Sequence, residues 1–254
     1  MSRTKILSLE NLLPQDLEDE ADLIPLMTTD DEEAILKEPV PEELPILPLK
    51  NTVLFPGVVI PITATRDRSI KLIKAVNSGD KLLGVVAQQN GETKSPSPED
   101  LYQKGTLAKV LRVLKMPDGN TTIILQGKKR FEIQEFVAEQ PYLTAKVSSL
   151  GEIRPDDKDP NFSAIIDSIR DLALKIIAQN PEIPSEASFA IKNIQSSAFL
   201  VNFVSSNMDM TVSEKQVILE QDNLEQRALM CLKQMNVEYQ KLSLKNDIQT
   251  KVRH

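Results

Sequence analysis

The chain has 254 residues, of which 41% are hydrophobic and 4% aromatic, with one cysteine and a net charge of −7. This length accommodates one or two domains around a largely aliphatic core. A single cysteine excludes an intrachain disulfide, which fits a reducing cytoplasm. No uninterrupted apolar run reaches the roughly 18 residues of a membrane span, and the first residues lack the apolar run of a signal peptide.

Acidic residues are concentrated near the amino terminus. Residues 10–43 hold thirteen acids and one base, Lys37, whereas residues 44–254 carry a net charge of +3. Such charge density opposes compaction, so residues 1–43 are predicted to form an acidic, disordered leader. The nearly neutral remainder gives no electrostatic argument for a nucleic-acid partner.

Residues 44–150 are predicted to be rich in β-structure, because short apolar runs alternate with turn signals. The first two strands are expected at 44–50 and 58–63, joined by a turn at Phe-Pro-Gly. Pro61 suggests an edge strand or a bulge, since proline cannot donate a hydrogen bond to a neighbouring strand. One helix is predicted at 66–80, with Gly79 as its terminator.

The rest of this region predicts further short strands. Pro117, Asp118 and Gly119 stand between two strand-like runs, which predicts a β-hairpin over residues 107–126. Residues 130–136 and 142–150 alternate between apolar and polar positions, as half-buried strands do. About seven short strands with one helix indicate a small, strongly bent sheet or partly closed barrel.

Residues 151–160 have the composition of a linker, and after them the apolar period changes from two to 3.6. Residues 161–254 are therefore predicted to be helical, with the first helix beginning at Pro160 and a second at 185–206. A capping box of Ser213 and Gln216 predicts one long helix from about residue 213 to the end. At ~1.5 Å per residue it would reach about 60 Å, so its distal half is expected to project.

Few residues offer catalytic or ligand chemistry. The only histidine, His254, ends the chain, so a histidine-based triad or multi-histidine metal site is excluded. Cys231 lies on an apolar helical stripe, which favours packing over nucleophilic catalysis. Lys128, Lys129 and Arg130 lack the spacing of a phosphate-binding loop; a solvated turn is favoured over a phosphate contact. No catalytic, cofactor-binding or metal-binding residue is predicted.

Five sequence segments occur in a characteristic order: LPILPLKNTVLFPGVVIPI, EDLYQKGTLAKVLRVLKMPDGNTTIILQGKKRFEI, PYLTAKV, VSEKQVILE and LKNDIQTKVR. This ordered set resembles the N-terminal region of the bacterial Lon ATP-dependent proteases. The resemblance covers residues 44–254. It implies an α+β chain: a β-rich, partly closed barrel similar to the pseudouridine-synthase-and-archaeosine-transglycosylase (PUA) fold, then a helical bundle ending in a long projecting helix.

The resemblance also implies a function. It predicts recognition of unfolded or damaged proteins and gating of a ring of six in a cytoplasmic quality-control protease. The parent enzyme would carry an AAA+ ATPase module, which uses ATP and magnesium, and a serine peptidase module with a Ser-Lys dyad. Motifs of those modules do not occur in these 254 residues, so we expect a fragment truncated before them, without catalysis of its own.

Apolar residues at turns are the candidates for client contact, because unfolded clients expose similar apolar chemistry. These candidates are Leu54, Phe55, Pro56, Met116 and Pro117. The favoured alternative for Phe55 is that it fills the barrel interior. Candidates for assembly or coupling lie on the long helix, where half-covered stripes could pair with a second copy; they are Leu224, Met235, Leu242 and Ile248.

Two other functions remain open from the sequence. A free-standing adaptor or ligand-binding module could use the same fold. An RNA-binding protein is less favoured because the body of the chain is nearly neutral, and steeply salt-dependent RNA binding would support it.

Overall fold

The computed structural model describes residues 27–184 and 186–252, and the chain divides into two compact units. The β unit comprises Asp30–Gly151 and Thr211–Glu220; the described residues of the helical unit are 27–29, 152–184, 186–210 and 221–252. A short segment of the carboxyl-terminal half therefore belongs to the β unit. In chain order the elements are α1 (Thr29–Lys37), β1 (Glu43–Leu49), β2 (Val59–Ala64), α2 (Asp67–Ser78), β3 (Leu82–Ala87), β4 (Lys104–Lys115), β5 (Thr121–Ala138), β6 (Thr144–Ser149), α3 (Pro160–Gln179), α4 (Glu186–Asn193), α5 (Ser197–Asn207), α6 (Val212–Glu220) and α7 (Leu224–Val252).

The six strands of the β unit form one sheet that closes on itself. Their order is β2-β5-β4-β3-β1-β6, and β6 pairs back onto β5. β1 and β3 are parallel, and the other pairs are antiparallel. A cluster of fully buried side chains fills the ring, including Leu44, Ile46, Val86, Phe131 and Leu143. The predicted α+β class, with a bent, closing sheet followed by helices, is confirmed.

The Phe-Pro-Gly segment is a tight turn, as its sequence predicts. The Val58 amide donates to the Phe55 carbonyl at 3.2 Å, and Gly57 has a φ of 80°. Proline followed by a left-handed glycine is the combination that a type II turn requires. Gly57 then donates to the Gly127 carbonyl at 2.9 Å, while the Gly127 amide donates to Val58. Gly57 and Val58 thus lie opposite the single residue Gly127, which is a β-bulge at the start of β2.

β2 is an edge strand, as Pro61 predicts. It pairs with β5 and with no other strand among the described residues. The predicted hairpin is also confirmed: Met116 donates to the Asn120 carbonyl at 2.8 Å and Gly119 has a φ of 87°. Residues 121–126 and 130–136, however, are parts of the single strand β5 rather than two strands.

The basic cluster at residues 128–130 is not the solvated turn that the sequence favours. All three residues lie within β5, and Arg130 is buried. Its guanidinium donates to the Leu219 carbonyl and to the Gly151 carbonyl, each at 2.9 Å. Since Leu219 lies in the last turn of α6, Arg130 supplies a cation where the helix dipole is negative. Gln216 adds a hydrogen bond to the Lys104 carbonyl at 2.9 Å, which also holds α6 on the β unit.

The helical unit packs around α3 and α7, which lie against each other, with α5 in contact with both. Pro160 occupies the first turn of α3 and Asn180 follows its last residue, as predicted. The Asp159 carboxylate accepts from the Asn161 amide at 2.8 Å and so caps the helix. α5 is buried over most of its circumference, which agrees with its apolar sequence.

Two predicted helices are interrupted. The helix expected over 185–206 is α4 and α5, and Ser196 caps α5 through the Phe199 amide at 3.0 Å. The single long helix expected from about residue 213 is wrong: α6 ends at Glu220, and α7 begins at Leu224. Asn223 caps α7 by accepting from the Gln226 amide at 3.1 Å. Asparagine favours a cap because its side chain competes with the helix for backbone hydrogen bonds.

Two smaller expectations also need correction. The capping box of α6 is formed by Thr211 and Glu214, which exchange hydrogen bonds of 2.9 and 3.2 Å, and not by Ser213 and Gln216. Within the predicted disordered leader, Thr29–Lys37 form α1, and Ile35 on that helix is buried. The remainder of that prediction, residues 1–26, lies outside the described residues.

A buried ion pair links Glu152, in the segment before α3, to Arg227 in the first turn of α7. Arg227, which is 2% exposed, pairs with Glu152, and Arg154 approaches the same carboxylate at 2.8 Å. Ile153 donates to the Asp222 carbonyl and accepts from the Leu224 amide, each at 2.9 Å. Burial acts to raise the pKa of Glu152, but the two guanidinium groups outweigh it and hold the pKa below its ordinary value.

Glu152→Gln tests this ion pair. Removing one partner of a buried pair leaves the other charge uncompensated, so the variant should lose about 3–5 kcal/mol of unfolding free energy at neutral pH. Because the folded-state pKa is lowered, the wild-type advantage should be full above the unfolded value of about 4.3 and should disappear as the pH falls through the lower folded value. Urea denaturation across this range measures both effects.

Glu182→Gln is the matched control, because Glu182 is exposed on the same unit. A loss in Glu152→Gln no larger than in this control would contradict the assigned role of the ion pair.

Candidate functional site

A cavity of about 430 Å³ opens in the β unit at the amino end of α2. Its apolar lining comes from β1, α2 and two loops: Ile46, Pro48, Leu72, Pro96 and Leu143. Its polar lining is dominated by five consecutive residues that lead into α2, 65–69, together with Ser95 and Tyr142. Segments that are distant in sequence therefore converge on one partly apolar, partly polar concavity, which is the usual character of a ligand site.

The first turn of α2 presents unpaired backbone donors to this cavity. The amides of a helix's first residues lack an acceptor within the helix. Arg66, at the N-cap position, makes no side-chain capping bond. The positive end of the helix dipole also meets two further cations here, Arg66 and Arg68, although carboxylates are the favoured partners at that end. Asp67 is the one acidic residue in this turn, and its side chain is exposed.

Arg66 is held in place by a neutral partner. Its Nη2 donates to Gln88 Oε1 at 2.7 Å. Gln88 is buried and donates in turn to the Asn90 and Thr93 carbonyls at 3.2 and 2.9 Å. Partial burial lowers the pKa of the Arg66 guanidinium. Since no carboxylate of the described residues forms an ion pair with it, Arg66 is a partly desolvated cation that lacks a counter-ion.

Ser69 is a second polar group without a partner at this site. It is 9% exposed and lines the cavity, and its hydroxyl makes no hydrogen bond to any residue within 27–184 or 186–252. A hydroxyl that no protein group engages can bond a ligand in the cavity, which makes Ser69 a candidate for ligand binding. The cavity can therefore supply backbone amides, a hydroxyl and a guanidinium to one anionic group.

The sequence alone predicts only a helix over residues 66–80 and does not reveal this site. A local signal was present: arginine at the N-cap and again in the first turn breaks the usual preference for short polar or acidic residues there. Such local conflicts tend to mark functional positions. The apolar half of the lining had no comparable signal, because it comes from separate segments.

The five predicted client-contact residues differ in solvent exposure. Leu54 and Phe55 are 2% and 0% exposed, so the prediction that they are exposed is wrong; that Phe55 fills the barrel interior stays a prediction. Pro56 and Met116 are half-buried, and Pro117 is exposed at the hairpin tip. None of the five lines the cavity. Client contact by Met116 and Pro117 stays a prediction.

The Leu54–Phe55 segment is buried because a hydrogen bond and a close backbone contact hold it against the sheet. The Thr106 hydroxyl donates to the Leu54 carbonyl at 2.6 Å. A Cβ at Gly127 would lie 2.4 Å from the Phe55 carbonyl oxygen, so only glycine permits this approach. Both strands of the β4–β5 pair thus hold the segment inward.

The four predicted coupling residues of α7 fall into two groups. Leu224 and Met235 are buried in the helical unit. Leu242 is half-buried and Ile248 is 52% exposed. The most distal hydrogen bond between α7 and α3 among the described residues runs from the Asn246 side chain to the Gln179 carbonyl at 3.3 Å. The proximal stripe is therefore core, and a role in assembly stays a prediction for Leu242 and Ile248.

Other candidate chemistry is limited. Cys231 is fully buried, and burial raises the pKa of its thiol to about 12, so it packs as an apolar residue. Within the described ranges, no group of three or more histidine, cysteine, aspartate or glutamate side chains could hold a metal ion. In that same part of the chain, every helix is too short or too polar to cross a membrane.

A family model described as the ATP-dependent protease La (LON) substrate-binding domain matches residues 43–237. The chain belongs to this family. The match begins at the first residue of β1 and includes the whole cavity lining.

Lon proteases are among the relatives of this LON-family chain. It is 60% identical over 253 residues to the Lon protease of Flavobacterium johnsoniae, covering 100% of this chain and 31% of that protein. It is 48% identical over 231 residues to the Lon protease of Cytophaga hutchinsonii, covering 91% of this chain and 28% of that protein. The chain thus spans about a third of the length of these relatives.

Solved structures support the fold. The N-terminal domain of the Mycobacterium avium complex Lon protease matches with a TM-score of 0.62 and 21% identity, covering 76% of this chain and 98% of that one. A Lon N-terminal domain protein from Xanthomonas campestris matches with a TM-score of 0.55 and 17% identity, covering 75% of this chain and 97% of that one. The LON N-terminal fold is therefore shared at low sequence identity.

Phe55→Ala distinguishes core packing from client contact. If Phe55 fills the interior, the variant should lose about 3–5 kcal/mol of unfolding free energy, the usual cost of emptying a buried phenylalanine site. Urea denaturation followed by circular dichroism measures this loss. Leu111→Ala is the control, since Leu111 is an exposed apolar residue of the same unit and should change stability little. A stable Phe55→Ala variant that binds clients poorly would contradict the assignment.

Proposed function

We propose that this chain is the client-binding part of an ATP-dependent Lon-type protease that removes unfolded or damaged proteins. The observation that carries the proposal is the match of a substrate-binding family model to residues 43–237. The identity of 60% to a Lon protease over 253 residues supports it. Recognition, gating of the assembled enzyme and protein quality control are the roles that follow.

The β unit offers two kinds of surface to an unfolded chain. Its cavity combines an apolar lining with unpaired donors, and the hairpin tip exposes Pro117 beside the half-buried Met116. Unfolded proteins expose apolar side chains that a native client buries, so apolar surface of this kind discriminates by folding state rather than by sequence.

Assembly and catalysis belong to the wider proposal. The exposed stripe on distal α7, which includes Ile248 and half-buried Leu242, would pair with another copy in a ring of six. ATP, magnesium and the Ser-Lys dyad would act in other modules of the parent enzyme, in the cytoplasm. The near-neutral charge of residues 44–254 makes nucleic acid an unsuitable partner, and no membrane partner is proposed.

The test compares one client protein in two states. The purified chain is titrated into a fluorescent globular protein, either native or permanently unfolded by reduction and carboxymethylation, and anisotropy reports binding. The unfolded form should bind at least about ten-fold more tightly, because only it exposes contiguous apolar side chains.

A single-stranded RNA of similar mass provides the control for the rival function. Equal affinity for the native and unfolded forms would contradict the proposal. Tighter, steeply salt-dependent binding of the RNA would instead support an RNA-binding protein.

A further inference from the structure

We propose that the cavity at the amino end of α2 binds the free carboxyl terminus of a client polypeptide, with the last side chain of the client against the apolar lining. This inference rests on the proposed function, because it assigns a particular part of the client to a particular site. The juxtaposition that carries it is a guanidinium without a counter-ion, a helix amino terminus and the unpaired hydroxyl of the buried residue Ser69 around one partly apolar concavity.

The uncompensated positive charge at the site favours the binding of an anion. Arg66 is half-buried, and Gln88 fixes one edge of its guanidinium without neutralising it. Arg68 also lines the cavity and makes no ion pair with a described residue. Burying a cation without a counter-ion costs free energy, and a carboxylate that enters the cavity would supply the missing charge.

The donors at the site suit a carboxylate. The amides of Asp67, Arg68 and Ser69 open the helix without intrahelical acceptors, and no side chain caps them. The Ser69 hydroxyl adds a donor that no described residue uses. Capture of a terminal carboxylate by convergent backbone amides is a recurrent mode of peptide recognition.

The apolar lining favours a chain end over a phosphate or another small polar anion. Pro48 and Tyr142 are half-buried lining residues that present apolar surface to the cavity, and a phosphate group would gain nothing from that surface. A terminal leucine or similar residue provides both the carboxylate and an apolar side chain. The volume of about 430 Å³ lies within the usual range for ligand sites.

The exposed carboxylate of Asp67 adds a selectivity element. It borders the same cavity and would repel an acidic residue next to the client terminus. Client ends with apolar or basic penultimate residues are therefore expected to bind best.

The test uses one short fluorescent peptide that ends in leucine, prepared with a free carboxyl terminus and with a carboxyl-terminal amide. The free acid should bind the intact chain about ten-fold more tightly or better, the factor expected for one charge-assisted hydrogen bond. N-acetyl-leucine serves as the competing small acid. It should displace the peptide only at much higher concentration, since it lacks the preceding residues.

Arg66→Met retains the aliphatic length and removes the charge, and should abolish the preference for the free acid. Ser69→Ala should reduce it several-fold. Lys71→Met is the matched control on the same helix; Lys71 is exposed and does not line the cavity, so the preference should remain. Circular dichroism confirms that each variant is folded.

Equal binding of acid and amide, an Arg66→Met variant with the preference intact, or N-acetyl-leucine as tight as the peptide would each overturn the inference. The unfolded client is titrated in the same experiment. If it binds the chain while the peptide pair shows no difference, the terminus is not the recognised feature but the proposed function stands. If the unfolded client does not bind at all, the proposed function fails.

Discussion

The β unit depends on one strand, β5, which continues for 18 residues and pairs with three others. Its first part pairs with β2 and its last part with β6, while β4 pairs along residues 121–132. A shorter strand could not reach both β2 and β6, and the sheet would then be open. Closure gives each of the five ring strands a neighbour on both sides over part of its length, whereas β2 pairs with β5 only among the described residues.

Closure also determines where the cavity can form. Ile46 on β1 donates its amide to the Leu143 carbonyl at 2.8 Å, which brings two of the apolar lining residues together. α2 begins three residues after β2 ends, so pairing of β2 with β5 places the amino end of the helix beside them. The loop that carries Ser95 and Pro96 completes the lining. The cavity is therefore a consequence of sheet closure, although its residues are scattered through nearly a hundred positions of sequence.

Local chemistry explains which features could be predicted. The turn at Pro56–Gly57 and the hairpin at Pro117–Gly119 follow from short-range backbone preferences, and α2 and α3 follow from apolar period and terminators. Long-range contacts explain the failures. β5 continues through Gly127 and two lysines without a turn because it pairs with β4 and packs against the Phe55 segment. Arg130 is buried because carbonyls of α6 and Gly151 accept hydrogen bonds from its guanidinium. The break before Leu224 carries no proline or glycine; tertiary and capping contacts, including the Asn223 cap and the Ile153 hydrogen bonds, define it.

Entry of a client chain end into the cavity beside α2 is the most specific role proposed for this molecule. Site-specific photocrosslinking to an unfolded client tests it directly, with the reactive group placed in turn at Ser95 on the cavity, Asp118 at the hairpin tip and Glu182 on the helical unit. Crosslinks from Ser95 should map to the last residues of the client. Crosslinks from Ser95 that map evenly along the client, or that are no more frequent than those from Glu182, would contradict it.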